Sequence, residues 1–130
     1  MNNKRLNAVI REHSDSLEEG GLGYWRYVYH EMLMLTITDE GHNRMRIISP
    51  VALAKDVSNS ILRECMEANF DRALDARFAL SGDHLWSVFI HPFEELSEKQ
   101  FVDGMNQVAT LAANYGTSFS SSDLLFGGGD

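Results

Sequence analysis

The chain has 130 residues, a formal net charge of −8 and a hydrophobic content of 44%, which fits one domain able to bury a core of its own. Its eleven Lys and Arg residues are scattered rather than clustered, so nucleic acid is excluded as the main partner, and an acidic surface suits basic or apolar protein partners instead. No apolar run approaches the roughly 20 residues needed to cross a bilayer, and no apolar leader opens the chain, so a cytoplasmic protein without membrane insertion is expected.

In chain order, the first element is an amphipathic helix over Asn3 to Leu17, with Leu6, Val9, Ile10, His13 and Leu17 on one stripe. Glu18, Glu19, Gly20, Gly21 and Gly23 are expected to end it. It either packs on the sheet or lies across a second subunit. Tyr24 to Thr38 is a long β-favouring run without Gly or Pro. From Met32 onward Leu33, Leu35 and Ile37 alternate with Met34, Thr36 and Thr38, while His30-Glu31 marks a bulge or a break into two strands. Asp39 to Asn43 reads as a hairpin loop, and Arg44 to Ile48 as the return strand. Met45 and Ile47 point inward there, and both arginines outward into solvent.

Ser49-Pro50 has the chemistry of a helix start, with Ser49 as N-cap and Pro50 in the first helical position. Leu53, Val57, Ile61, Cys65 and Ala68 then form a buried stripe, and Leu62 and Met66 widen it. That widening serves a subunit contact or a broad core-facing surface. A lone cysteine, Cys65, excludes an intrachain disulfide and a cysteine-based zinc site, and is expected as a small apolar residue.

Leu74 to Tyr115 is the best-specified stretch. Leu74, Ala76, Phe78 and Leu80 share one face of a strand, and Gly82 supplies the positive φ of a tight turn at 81–84. The strand Leu85 to Ile90 is apolar on both faces, Trp86, Val88 and Ile90 opposite Leu85 and Phe89, and Pro92 ends it. Ser97 and Gln100 form a capping box, with Leu96 and Phe101 as a hydrophobic staple. Phe101, Met105, Val108, Ala112 and Tyr115 recur at helical spacing up to Gly116, a natural stop. The Ser/Gly-rich tail 117–130 carries one apolar cluster, Leu124-Leu125-Phe126, either frayed or docked in a groove.

No chemistry is spelled out. His13, His30, His42, His84 and His91 include no pair at the i, i+4 spacing of a metalloprotease helix. The adjacent pairs Glu18-Glu19 and Glu94-Glu95 point apart, and the glycines at 20, 21 and 23 precede a strand rather than a helix, the wrong setting for a phosphate loop. No nucleophile elbow is present. A non-enzyme without metal or cofactor is expected.

From Leu33 to Tyr115 the chain resembles YbjN-like proteins and the class I type III secretion chaperones. The resemblance rests on a helix ending in Asn69, the Arg77-Phe78-Ala79-Leu80 strand, and Pro92 to Leu96-Ser97 leading into the last helix. It implies an α+β domain over 1–116, in the order α-β-β(-β)-α-β-β-α, with a twisted, mainly antiparallel sheet and helices packed on one face. It also implies a non-catalytic, commonly dimeric binding module. Chaperone- or adaptor-like protein binding by a homodimer is therefore expected, through apolar surface at Met32, Met34, Leu85, Trp86, Phe89, Leu62 and Met66. The alternative is a regulatory protein sensing a small ligand between sheet and helices, in a cavity lined by Trp25, Trp86 or His91.

Overall fold

A computed structural model describes residues 1–71 and 74–115. Its elements are α1 (Asn3–His13), β1 (Ser16–Gly21), β2 (Tyr24–Tyr29), β3 (Met32–Asp39), β4 (Arg44–Leu53), α2 (Asn59–Asp71), β5 (Arg77–Ser81), β6 (His84–Pro92) and α3 (Glu98–Asn114). The six strands form one antiparallel sheet in the order β1-β2-β3-β4-β6-β5. This is the α+β architecture expected from the sequence, with one strand more at the N-terminal edge.

Strand alternation decides which residues meet the helices. Trp25 pairs with Thr36, Thr36 with Ile47, and Ile47 with Phe89, and all four are buried. One residue along each strand, Arg26, Leu35, Ile48, Val88 and Arg77 form the next row, and none of them is buried. The side-chain period of two puts these rows on opposite faces. Across the first face runs α3, in contact with β3, β4, β5 and β6, while α1 packs on β1 and α3. Phe101, Met105, Val108, Leu111 and Ala112 of α3 are buried there, as are Leu6, Val9 and Ile10 of α1. The capping box forms as expected, Gln100 N–H donating to Ser97 Oγ at 3.0 Å and Ser97 N–H to Gln100 Oε1 at 2.9 Å. Leu96 and Phe101, the two members of the staple, are both buried.

Helix α1 is shorter than its apolar stripe suggests. It starts on Asn2, whose side chain accepts from Arg5 N–H, and ends at His13. Leu17 belongs to β1, an edge strand that Asp15 holds in place. Asp15 N–H donates to the Val28 carbonyl at 2.8 Å, and its carboxylate accepts from His30 N–H at 2.9 Å. Cross-strand pairing with β2 overrides the weak strand propensity of Glu18-Glu19-Gly20-Gly21. Gly20 is needed there, because a Cβ would lie 2.6 Å from the Trp25 ring. The long run after Gly23 does break at His30-Glu31. Both residues have positive φ, 50° and 68°, the geometry of a two-residue hairpin turn. Of the two expected forms, a bulge or a break into two strands, it is the break that forms, although neither residue is Gly or Asn.

The largest departure is at Ser49-Pro50, which starts no helix. Both lie inside β4, and α2 begins nine residues later, at Asn59, where Ser58 Oγ accepts from Ile61 N–H at 3.2 Å. Pro50 is tolerated for a specific reason. Thr38 N–H bonds the Gly23 carbonyl, so alternate backbone groups of β3, including those of Leu33, turn toward β4. The β3–β4 ladder ends at Leu35–Ile48, and the next β4 residue facing β3 is Pro50, which has no N–H to give. Ser49 Oγ supplies the missing donor to the Leu33 carbonyl at 2.7 Å. A β-bulge between Pro50 and Ala52 then re-aims the chain into a short 3₁₀ turn, Ala54–Asp56. Leu53, expected on the buried helix stripe, is instead 41% exposed at the strand end.

The edge at β5 is closed by a side chain. Phe78 N–H donates to Asn69 Oδ1 at 2.9 Å, and Asn69 Nδ2 donates to the Phe78 carbonyl at 3.0 Å. The last turn of α2 thus imitates a neighbouring strand and blunts an edge open to further pairing. The two-residue turn into β6 has Gly82 at φ 59°, as expected. Gly116 and the tail 117–130 lie outside the described residues.

Two substitutions test this packing. Ser49→Ala should lower the unfolding free energy in urea by about 1–3 kcal/mol, since it leaves the Leu33 carbonyl unpaired. Gly104→Ala should also destabilise, by about 1–3 kcal/mol, because the new Cβ would sit 2.8 Å from the Phe89 ring and 3.2 Å from Ile47 Cδ1. In an open helix the same change would stabilise by roughly 0.5–1 kcal/mol, so the sign alone distinguishes the two situations.

Candidate functional site

The face of the sheet turned away from α1 and α3 is the most unusual surface of the molecule. Its central row is Leu35, Ile48 and Val88, each half-buried, with Arg26 at one end and Arg77 at the other. Toward the β3–β4 hairpin lies the row Tyr24, Ile37, Arg46 and Ile90, the last 54% exposed. On the other side lie Leu33 opposite Val28, and Pro50 opposite Trp86 and Ala79. Trp86 is fixed by its indole N–H, which donates to the Ser81 carbonyl at 3.0 Å, and by the His84 ring beside it. Seven large apolar side chains from β3, β4 and β6 thus share a half-exposed surface: Leu33, Leu35, Ile37, Ile48, Trp86, Val88 and Ile90. Apolar patches of this kind are uncommon on the surface of a single chain.

A second apolar surface lies on α2. Met66 is 53% exposed and Phe70 91% exposed, and with Arg63, Glu67 and Asp71 they line a shallow depression of about 510 Å³. The buried side of α2 is reduced to Cys65 and Ala68. Burial pushes the Cys65 thiol up to about 11, so it carries little thiolate at neutral pH and behaves as the apolar residue expected.

The residues expected to form the contact surface are divided by the structure. Trp86 lies on the open face, Met66 is exposed on α2, and Leu62 is half-buried beside it. Met34, Leu85 and Phe89, in contrast, belong to the core beneath the helices, at 0%, 0% and 5% exposure, and Met32 packs against that core. The correction follows from alternation: Leu85, Ser87 and Phe89 point to α3, so only Trp86, Val88 and Ile90 of β6 are left outside. Their counterparts on β3 and β4, Leu33, Leu35, Ile37 and Ile48, carried the signal in the same period-two pattern.

The buried hydroxyl groups of the core are hydrogen-bonded. Tyr27 Oη and Thr36 Oγ1 are hydrogen-bonded at 2.7 Å, Ser87 Oγ donates to the Val108 carbonyl at 3.0 Å, and Tyr29 Oη donates to Asn106 Oδ1 at 2.5 Å. Burial drives the Tyr27 phenol strongly upward, so it stays protonated. Asn43 ties the β3–β4 loop to the start of α3 by accepting from Glu94 N–H and donating to Glu95, and that bond lowers the Glu95 pKa. His42 does the same for the exposed Asp39, with Nδ1 and Oδ2 2.9 Å apart. His91 Nδ1 lies 2.8 Å from the Pro92 carbonyl, a structural bond that closes the strand.

One cluster joins residues distant in sequence. The ligand atoms of Glu12, His13 and Glu98 lie within 4.8 Å of one another where α1 meets α3. His13 Nε2 is 3.7 Å from Glu98 and 4.0 Å from Glu12. Arg5 already supplies a cation to Glu98 at 3.3 Å, so the cluster reads as an interhelical ion-pair network. Of the residues expected to line a ligand cavity, Trp25 is buried on the helix side, Trp86 lies on the opposite face, and His91 lines a depression of about 410 Å³ with Ile90 and, on α3, Gln100, Asp103 and Gln107.

No protein-family model matches the sequence, and no curated protein matches it. Solved structures do. A chain of the HopA1–SchA chaperone–effector complex superposes with a TM-score of 0.65 at 14% identity, covering 87% of this chain and 91% of that one. The Yersinia pestis type III secretion chaperone SycH, solved with a stable fragment of YscM2, gives 0.62 at 14% identity, covering 86% and 97%. The chain therefore has the fold of the type III secretion chaperones. Among the described residues, no helix is long and apolar enough to cross a membrane.

Proposed function

We propose that this chain is a non-catalytic, chaperone-like protein-binding module that holds its partner on the open face of the sheet. The observation that carries the reading is the apolar group Leu35, Ile48 and Val88 with its neighbours, which no helix among the described residues covers. Burying apolar surface is the main source of favourable association energy, at about 25 cal/mol per Å². The solved structures of like fold are a chaperone–effector complex and a chaperone with a bound protein fragment, and this supports the same use here.

The same proposal joins two copies through the outer side of α2, where Met66 and Phe70 are exposed. An acidic chain then presents two sheet faces from one dimer. Asn69 in the last turn of α2, the Arg77 to Leu80 strand and the Pro92 to Ser97 connector support an affinity to the YbjN-like branch in particular.

Val88→Asp and Phe70→Asp separate the two surfaces. Val88→Asp should abolish capture of the partner from native lysate while leaving the sedimentation coefficient and the circular dichroism unchanged. Phe70→Asp should convert a dimer to a monomer and leave capture by each copy intact. Partner capture that survives Val88→Asp would remove the sheet face from the reading, and a monomeric wild-type chain would remove the dimer.

A further inference from the structure

The open face is basic in a chain of net charge −8. Arg26 and Arg77 end its central apolar row, Arg46 sits between Ile37 and Ile90, and Arg44 lies beside it across from Asp39. Arg26 is neutralised by Glu18 of β1 at 3.2 Å. Among the described residues the other three have no carboxylate within ion-pairing distance. Arg44 and Arg77 reach only backbone carbonyls, those of Asn43, Leu74 and Ala76. Asp39 and Glu19 lie at the rim, the Asp39 carboxylate taken by His42, and Asp75, which accepts from Gln107 Nε2 at 3.3 Å, lines one depression with Arg77 and Asp103. Elsewhere among the described residues Arg5, Arg63 and Lys99 are paired with Glu98, Glu67 and Asp103, while Lys4, Arg11 and Lys55 also lack an acid, so what sets Arg46 apart is its place within an apolar surface.

We infer that the partner segment received by the open face is acidic and amphipathic, its apolar side chains covering Leu35, Ile48 and Val88 while its carboxylates meet Arg44, Arg46 and Arg77. The inference rests on the proposed binding role of this face and adds the chemistry of what binds. A guanidinium in the middle of an apolar surface loses water when a partner covers it, so an apolar or basic segment would leave Arg46 desolvated and unpaired. An Asp or Glu opposite it restores the hydrogen bonds in planar, two-point form. Local and overall charge oppose one another here, so the selection is by position: the whole chain repels an acidic segment at long range, and only this face attracts it.

Two synthetic 14-residue peptides with the same leucine pattern, one carrying glutamates and the other lysines at the polar positions, provide the test. Binding to the full chain is read by polarisation of a labelled peptide and by the fluorescence of Trp86. The glutamate peptide should bind roughly tenfold tighter than the lysine peptide at low salt, with the preference shrinking as salt rises. Arg46→Glu should abolish or reverse that preference. Arg63→Glu, which changes net charge equally but lies on α2, should leave it in place. A lysine peptide that binds as tightly as the glutamate peptide, or equal effects of the two substitutions, would overturn the inference. If Val88→Asp then abolishes binding of both peptides alike, the binding role of the face survives and only its charge selectivity fails. Failure of both peptides to bind the wild-type chain overturns the face and its chemistry together. The sequence 123–126, Asp-Leu-Leu-Phe, has the chemistry described. If Leu125→Ser with Phe126→Ser makes the glutamate peptide bind more than tenfold tighter, the face belongs to the chain's own segment, and a partner in trans is overturned.

Discussion

The position of β4 is the constraint on which the rest of the molecule depends. It pairs with β3 on one side and β6 on the other, and so joins a meander from the N-terminal half to a hairpin from the C-terminal half. A slip of one residue in either ladder would put Ile47 and Phe89 in solvent and Ile48 and Val88 under the helices. Pro50 is the weak place in this strand, lacking a donor where β3 presents the Leu33 carbonyl, and the Ser49 hydroxyl covers that loss. The strand can then run ten residues, long enough to pair with all of β6.

With the sheet so fixed, three helices are distributed unequally around it. α3 and α1 cover one face, α2 lies against the β5 edge and seals it through Asn69, and the second face keeps its apolar residues. Covering the first face depends on close approach. Gly104 lets α3 descend onto Phe89 and Ile47, and Gly20 gives room to the Trp25 ring, whose N–H reaches Asn7 of α1 at 2.9 Å. The uncovered face is therefore a consequence of topology. Among the described residues, one long helix and two short ones leave no element to place there.

Much of this was legible in the residues. Period-two alternation in β3 and β6, the box at Ser97 and Gln100 and the turn at Gly82 all appear in the structure where local chemistry puts them. Signals that involve only a few adjacent residues are read well. What escaped depends on partners far away in sequence: Ser49-Pro50 has good helix-start chemistry, yet is drawn into a strand by its ladder to Trp86 and Ser87 and by the Ser49 hydroxyl's bond to the Leu33 carbonyl. The acidic, glycine-rich β1 is a strand only because β2 lies beside it. The candidate surface was half legible for the same reason. Leu85 to Ile90 is apolar on both faces, and only the position of α3 tells that Trp86, Val88 and Ile90 are the exposed set and Leu85 and Phe89 the buried one.

The central claim is that the face carrying Val88 meets another protein when the chain is at work. A photo-reactive amino acid placed at Val88, and in a second preparation at Glu67 on α2, tests it in intact cells. Irradiation at position 88 should join the chain covalently to a protein other than itself, and position 67 should give chiefly the crosslinked pair of copies. Irradiation at 88 that yields no product beyond what an unlabelled chain gives would contradict the account.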